Sequence, residues 1–145
     1  MKVDTKTGGI IDVDERQKIT IAQGLFGFEK LKDYVLLDAE QEPFFWLQSL
    51  EEKQTAFILI DPYLFRPDYE IKIDNDELAD LGIDSPDKAL VFAIVTIPEN
   101  GPITANLQGP IIINKDTKAG KQAILNNLQW QTKHDIMAEL AGSKK

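Results

Sequence analysis

Three aspartates, Asp74, Asp76 and Asp80, are spaced so that carboxylates could converge on one hard cation such as calcium. The surrounding residues argue otherwise. With Asp74 at the first position of a calcium loop, Leu78 and Ala79 fall where a ligand and an obligatory Gly belong, and Ser85 replaces the bidentate Glu. A capped, solvated helix on an acidic lobe accounts for them better. From Asp74 to Asp87 the chain carries six acidic and no basic residues, a local field suited to a partner surface. His134 is the single imidazole, and a hydrolytic triad would have to draw on Ser49, Ser85 or Ser143, none of which sits in a GxSxG elbow. The chain has no cysteine, which removes thiolate nucleophiles, disulfides and sulfur-ligated zinc and fits a reducing compartment. Neither GxGxxG after a strand nor GxxxxGK[ST] occurs, so phosphate and dinucleotide cradles have no support. No carboxylate pair is singled out for acid–base work. The expectation is a protein without catalytic residues, metal or cofactor.

Two stretches carry more information. In PFFWLQSL, Phe44, Phe45 and Trp46 are consecutive, so on any strand their rings alternate between faces and at least one points away from the main core. Either a helix or loop covers that second face, or the ring anchors a partner. In TANLQGPIIIN, a polar, turn-forming NLQGP abuts an apolar triplet. Gly109 frees the backbone before Pro110, whose fixed φ and missing N–H suit the first residue of a strand or an edge. Asn106 can bond the backbone of its own loop and hold that turn. It is open whether Asn106 and Gln108 only shape the turn or also face a partner.

The elements that must position these residues are mostly short strands separated by Gly, Pro, Asp and Asn. Ile19 and Ile21 alternate with Lys18 and Thr20, and Tyr69, Ile71 and Ile73 with Glu70 and Lys72, so both segments read as strands with one wet face, lying toward the outside. Thr55–Ile60, Leu90–Ile97 and Ile111–Ile113 are apolar on both faces, as strands covered on both sides must be. Further strands are expected at Gly9–Val13, Asp33–Leu37, Phe44–Gln48, Ile103–Asn106, Lys121–Leu125 and Trp130–His134. So many short strands leave long open edges unless the sheet closes or folds over. The fold class expected is mainly β, a small closed or strongly bent β-barrel-like domain with two or three short helices. Asp74 and Glu77 form a capping-box pair for a helix ended by Gly82; Asp84 or Ser85 before Pro86 starts a second, and Asp135 caps a third before Gly142.

At 145 residues with 43% apolar side chains, the chain is about one domain long: residues 1–141 as a single domain and 142–145 as a short flexible tail. A net charge of −8 repels phosphate backbones, which argues against direct binding of nucleic acid and favours a basic protein partner. No apolar leader or membrane-length segment is visible, and a cytoplasmic location is expected.

Three stretches together resemble the FliW flagellar assembly factors: GLFGFEKLKDYVLL with PFFWLQS, FILIDPYLFRPDY, and IVTIPENGPITANLQGPIIIN with GKQAIL. The likeness runs from about Gly24 to Leu125. Gly24, Gly27, Phe28 and Glu29 match the family's G-x-x-G-F-E turn, with Phe26 where Pro is frequent. Pro43, Phe44, Leu47, Gln48 and Ser49 follow P-F-x-x-L-Q-S, Asp61 and Pro62 match D-P, and Asn106, Leu107 and Pro110 match N-L-x-x-P. The resemblance implies a cytoplasmic β-barrel-like protein with two protein partners and no catalysis. It would bind newly made flagellin like a chaperone and antagonise the RNA-binding repressor CsrA, relieving repression of flagellin synthesis. Partner contacts are expected among Phe45, Trp46, Gln48, Asp61, Asn106 and Gln108. The competing reading is a small-ligand-binding or hydrolytic β-barrel, supported only by architecture.

Overall fold

The computed structural model describes residues 1–69, 75–125 and 130–137. Among these residues the strands are β1 (Lys2–Thr5), β2 (Gly9–Asp12), β3 (Lys18–Ile21), β4 (Asp33–Asp38), β5 (Phe45–Ser49), β6 (Ala56–Ile60), β7 (Ala89–Thr96), β8 (Thr104–Asn114), β9 (Ala119–Gln122) and β10 (His134–Asp135), with an α-helix, α1 (Asn75–Asp80). β3 through β8 form an antiparallel meander, β9 returns along the end of β8, and β9 pairs in parallel with β3. That last pairing closes a barrel of seven strands and leaves no open edge around it. β10 adds to the first half of β8, and β1 and β2 form a separate hairpin.

Strand alternation then sorts the side chains. Ile19, Ile21, Tyr34, Leu47, Leu59 and Ile111 fill one apolar cluster drawn from strands all round the barrel, the interior. β3 does have its wet face at Lys18 and Thr20, but it is a full stave between β4 and β9 and not a peripheral strand. Outside the barrel, Ile60, Ala93, Val95 and Leu107 are covered by Phe65, Tyr69, Trp130 and Ile136. This second cover is why β6, β7 and β8 read as apolar on both faces. The β1–β2 hairpin supplies a third layer, burying Val35 under Val3 and Val13.

Four expected strands are redrawn. Ile103–Asn106 and Ile111–Ile113 do not flank a loop: both belong to one eleven-residue strand, β8. The register jumps between Phe92↔Ile111 and Ile94↔Asn106, so Leu107, Gln108, Gly109 and Pro110 bulge out opposite Ala93. The turn chemistry is real but serves a corner. Asn106 Oδ1 accepts from the N–H groups of Gln108 (3.1 Å) and Gly109 (2.9 Å), standing in for ladder bonds, and Pro110 has no N–H to lose. The corner lets β8 pair with β10 before it and β9 after it. The segment Trp130–His134 contributes only its last residue to a strand, β10, while Trp130 packs in the outer cover. β9 begins two residues before the expected Lys121 and ends at Gln122.

Short helices occur where caps were expected, at Asn75–Asp80 and Pro86–Lys88, with Gly82 at φ +72° ending the first. Asp61 caps a further 3-10 turn, Pro62–Leu64. The expected strand residues 70–73, the Asp74 cap, the third helix beyond Met137 and the tail 142–145 lie outside the described residues.

Tyr34 is fully buried in the interior and its hydroxyl has no hydrogen-bond partner among the described residues. Burial, helped by the charge of Glu51, pushes its phenol up to about 12. The folded state therefore keeps this proton more tightly than the unfolded chain, whose phenol titrates near 10. The contribution is intact below pH of about 10 and is lost as pH rises toward about 12. Tyr34→Phe is expected to leave stability unchanged or raise it by up to about 1 kcal/mol at neutral pH, since only an unsatisfied hydroxyl is removed. It should also remove part of the alkaline loss, which urea titrations at pH 7 and pH 11 would measure.

Candidate functional site

β5 settles the question raised by its three aromatic residues. Phe45 turns inward and meets Phe92 edge-on at 5.4 Å between ring centroids. Trp46 turns outward, with Leu37 on β4 and Ile58 on β6 as its cross-strand neighbours. Those three side chains form an apolar row on the outer face of the sheet. The hairpin covers the sheet on one side of the row and the Trp130 layer covers it on the other. What remains between them is a cleft of about 400 Å³.

One wall of the cleft is the hairpin, through Thr5, Thr7, Gly8 and Ile11; the other is the β4–β5 turn, through Asp38, Glu40, Gln41 and Phe44. Ile97, 49% exposed, lies at its margin. The hairpin wall is held firmly. Thr5 Oγ1 donates to Gly9 O (2.7 Å) and accepts from Gly8 N (3.0 Å), which pins the turn. Gln48 Oε1 accepts from Lys6 N (2.9 Å), tying the hairpin tip to the barrel. The Gln48 amide in turn donates to Ser49 O (3.1 Å) and Lys53 O (2.9 Å). Among the described residues, Asp38 and Glu40 are the only charged ones lining the cleft, and both are exposed.

The expected contact residues thus separate into groups. Trp46 and Gln48 line this cleft, Trp46 as an apolar surface and Gln48 as a 2%-exposed brace. Phe45 belongs to the barrel interior. Asp61 accepts from Tyr63 N (2.9 Å) as a helix cap, while Asn106 and Gln108 build the β8 corner; none of these three lines the cleft. Sequence reading missed Asp38, Glu40, Ile97 and the hairpin residues. Thr5, Asp38, Trp46, Ile58 and Ile97 are far apart in the chain, and only strand register brings them together.

The serines that a hydrolytic triad would have had to draw on have structural partners: Ser49 Oγ accepts from Glu51 N (3.1 Å) and Glu52 N (3.0 Å), and Ser85 Oγ donates to Asp87 (2.5 Å). That hydrogen bond holds the Asp87 carboxyl below its ordinary range. His134 stacks on Phe65 at 6.2 Å. Ser143 lies outside the described residues. Among the described residues, no group of three or more acidic or imidazole side chains is placed to hold a metal ion, and no helix is long and apolar enough to cross a membrane. A second apolar surface is the β3–β4 loop, where Phe26 and Phe28 are 52% and 40% exposed.

The FliW protein family model matches residues 2–136. The flagellar assembly factor FliW of Treponema denticola is 54% identical over 141 residues, covering 97% of this chain and 96% of its own. That of Treponema pallidum is 51% identical over 142 residues, covering 97% and 95%. A crystal structure of the flagellar assembly factor FliW superposes with a TM-score of 0.85 at 38% identity, over 94% of this chain and 97% of that one. With a family match from the first strand to the last and relatives aligned over nearly their whole lengths, this chain belongs to the FliW family of flagellar assembly factors.

Proposed function

We propose that the protein works in the cytoplasm by binding and not by catalysis, holding newly made flagellin like a chaperone and, when flagellin is scarce, engaging the RNA-binding repressor CsrA. The observation that carries this reading is the match to flagellar assembly factors over 97% of the chain. The charge of −8 adds a mechanism. An RNA-binding protein must present Lys and Arg to phosphates, and an acidic protein seated beside them lowers the local potential that attracts RNA. Repression is then lifted even where the RNA-contacting residues stay uncovered.

Calorimetry with purified flagellin monomer and, separately, CsrA tests the reading; binding to neither overturns it. Where CsrA binds, its displacement from a flagellin leader RNA should weaken as salt is raised at constant occupancy of the protein pair. The screening length falls from about 8 Å at physiological salt to about 3 Å at 1 M. Displacement that ignores salt would rule out the electrostatic mechanism.

A further inference from the structure

We propose that the cleft between the β1–β2 hairpin and the β4–β5 turn is the seat for the basic partner, taking an apolar side chain flanked by Lys or Arg from the surface of the RNA-binding protein. This rests on the binding reading above and assigns one of its two partners to one surface. The floor is apolar: Leu37 packs at the edge of the hairpin layer and Ile58 at the edge of the Trp130 layer, while Trp46, the cross-strand neighbour of both, belongs to neither cover and is only partly buried. About 400 Å³ lies at the lower end of the range for sites that enclose a ligand, roughly 300–1,000 Å³, and so takes a few side chains rather than a whole helix face. The charges decide which polypeptide. Asp38 and Glu40 stand on the rim, and among the described residues no Lys or Arg lines the cleft, so a cation beside the apolar anchor is attracted while an acidic segment or a nucleic acid is repelled.

The walls are also set before anything binds. The bonds from Gln48 to Lys6 N and from Thr5 to Gly8 and Gly9 fix the hairpin, so little ordering is left to be done on association. An aromatic floor with an acidic rim around a rigid concavity is the arrangement in which one buried anchor carries much of the affinity.

Calorimetry of CsrA against the wild-type chain, the double variant Asp38→Lys/Glu40→Lys and Ile97→Gln tests the assignment. All three positions are exposed, so the variants keep the fold. The double reversal is expected to weaken binding about tenfold and to flatten its salt dependence, and Ile97→Gln to weaken it about threefold. Trp46 emission offers an independent readout. Trp130, the other tryptophan, is 1% exposed, so a blue shift on adding CsrA reports Trp46 losing water. Wild-type binding with equal affinities for the variants, or with unmoved emission, overturns the cleft and leaves the partner reading standing. Absence of wild-type binding to CsrA removes both. A Trp46 shift with flagellin alone overturns the assignment in favour of the other partner.

Discussion

Trp46→Ala is expected to lower the affinity for the basic partner about thirtyfold, the loss of about 2 kcal/mol that marks a central aromatic anchor. The indole is the largest side chain on the cleft floor, and its neighbours Leu37 and Ile58 are too short to replace it. Because the ring is only partly buried, the cost to folding should be smaller than that of emptying a core site, about 1–2 kcal/mol. Gln48→Ala, two residues along the same strand face, should behave in the opposite way. Removing that amide strands Lys6 N and Lys53 O, a loss of about 2–3 kcal/mol in stability, and affects binding only through a loosened hairpin. Urea denaturation and calorimetry on both variants separate the two roles. Equal binding by the Trp46 variant and wild type would show that the indole is not an anchor.

Gly24→Ala is expected to destabilise the fold by about 3 kcal/mol or more, whereas Gly27→Ala should cost about 1 kcal/mol. Both glycines have positive φ, +69° and +86°, so both substitutions strain the backbone. The difference lies in what surrounds them. A Cβ on Gly24 would come within 2.5 Å of Glu29 Cα and 2.7 Å of two backbone oxygens, and backbone cannot step aside; a Cβ on Gly27 meets nothing within 4 Å. The Gly24 turn also places Leu25, 1% exposed, into the barrel interior, so displacing it opens the core at that end. Chemical denaturation of the two single variants measures the gap; similar losses would mean that backbone strain alone accounts for the motif.

Much of the architecture was legible because it depends on local periodicity. The runs that are apolar on both faces at Thr55–Ile60 and Leu90–Ile97 became β6 and β7, covered inside and out, and Pro86 and Gly82 stand at the start of one short helix and just past the end of another, as their backbone chemistry requires. The need to hide strand edges pointed to closure. Which pairing closes the barrel was not legible, because the parallel contact of β3 with β9 joins residues about a hundred positions apart. NLQGP shows the limit most clearly. Its Asn, Gly and Pro announced a break in the ladder, but the same chemistry serves a turn between strands and a bulge within one, and only pairing with β7, β9 and β10 selects the second.

The candidate site divides along the same line. The sequence by itself determined that Phe45 and Trp46 face opposite ways, that the surface is acidic, and that the motifs resemble one family, since strand period, net charge and residue identity need no partner in space. Only the tertiary structure decided that Phe45 is the inner ring and Trp46 the outer, that Gln48 is a brace, and that Asp38 and Glu40 rim an apolar floor. Those facts follow from register and from how far each covering layer reaches across the sheet, quantities set by contacts between residues that the chain keeps far apart.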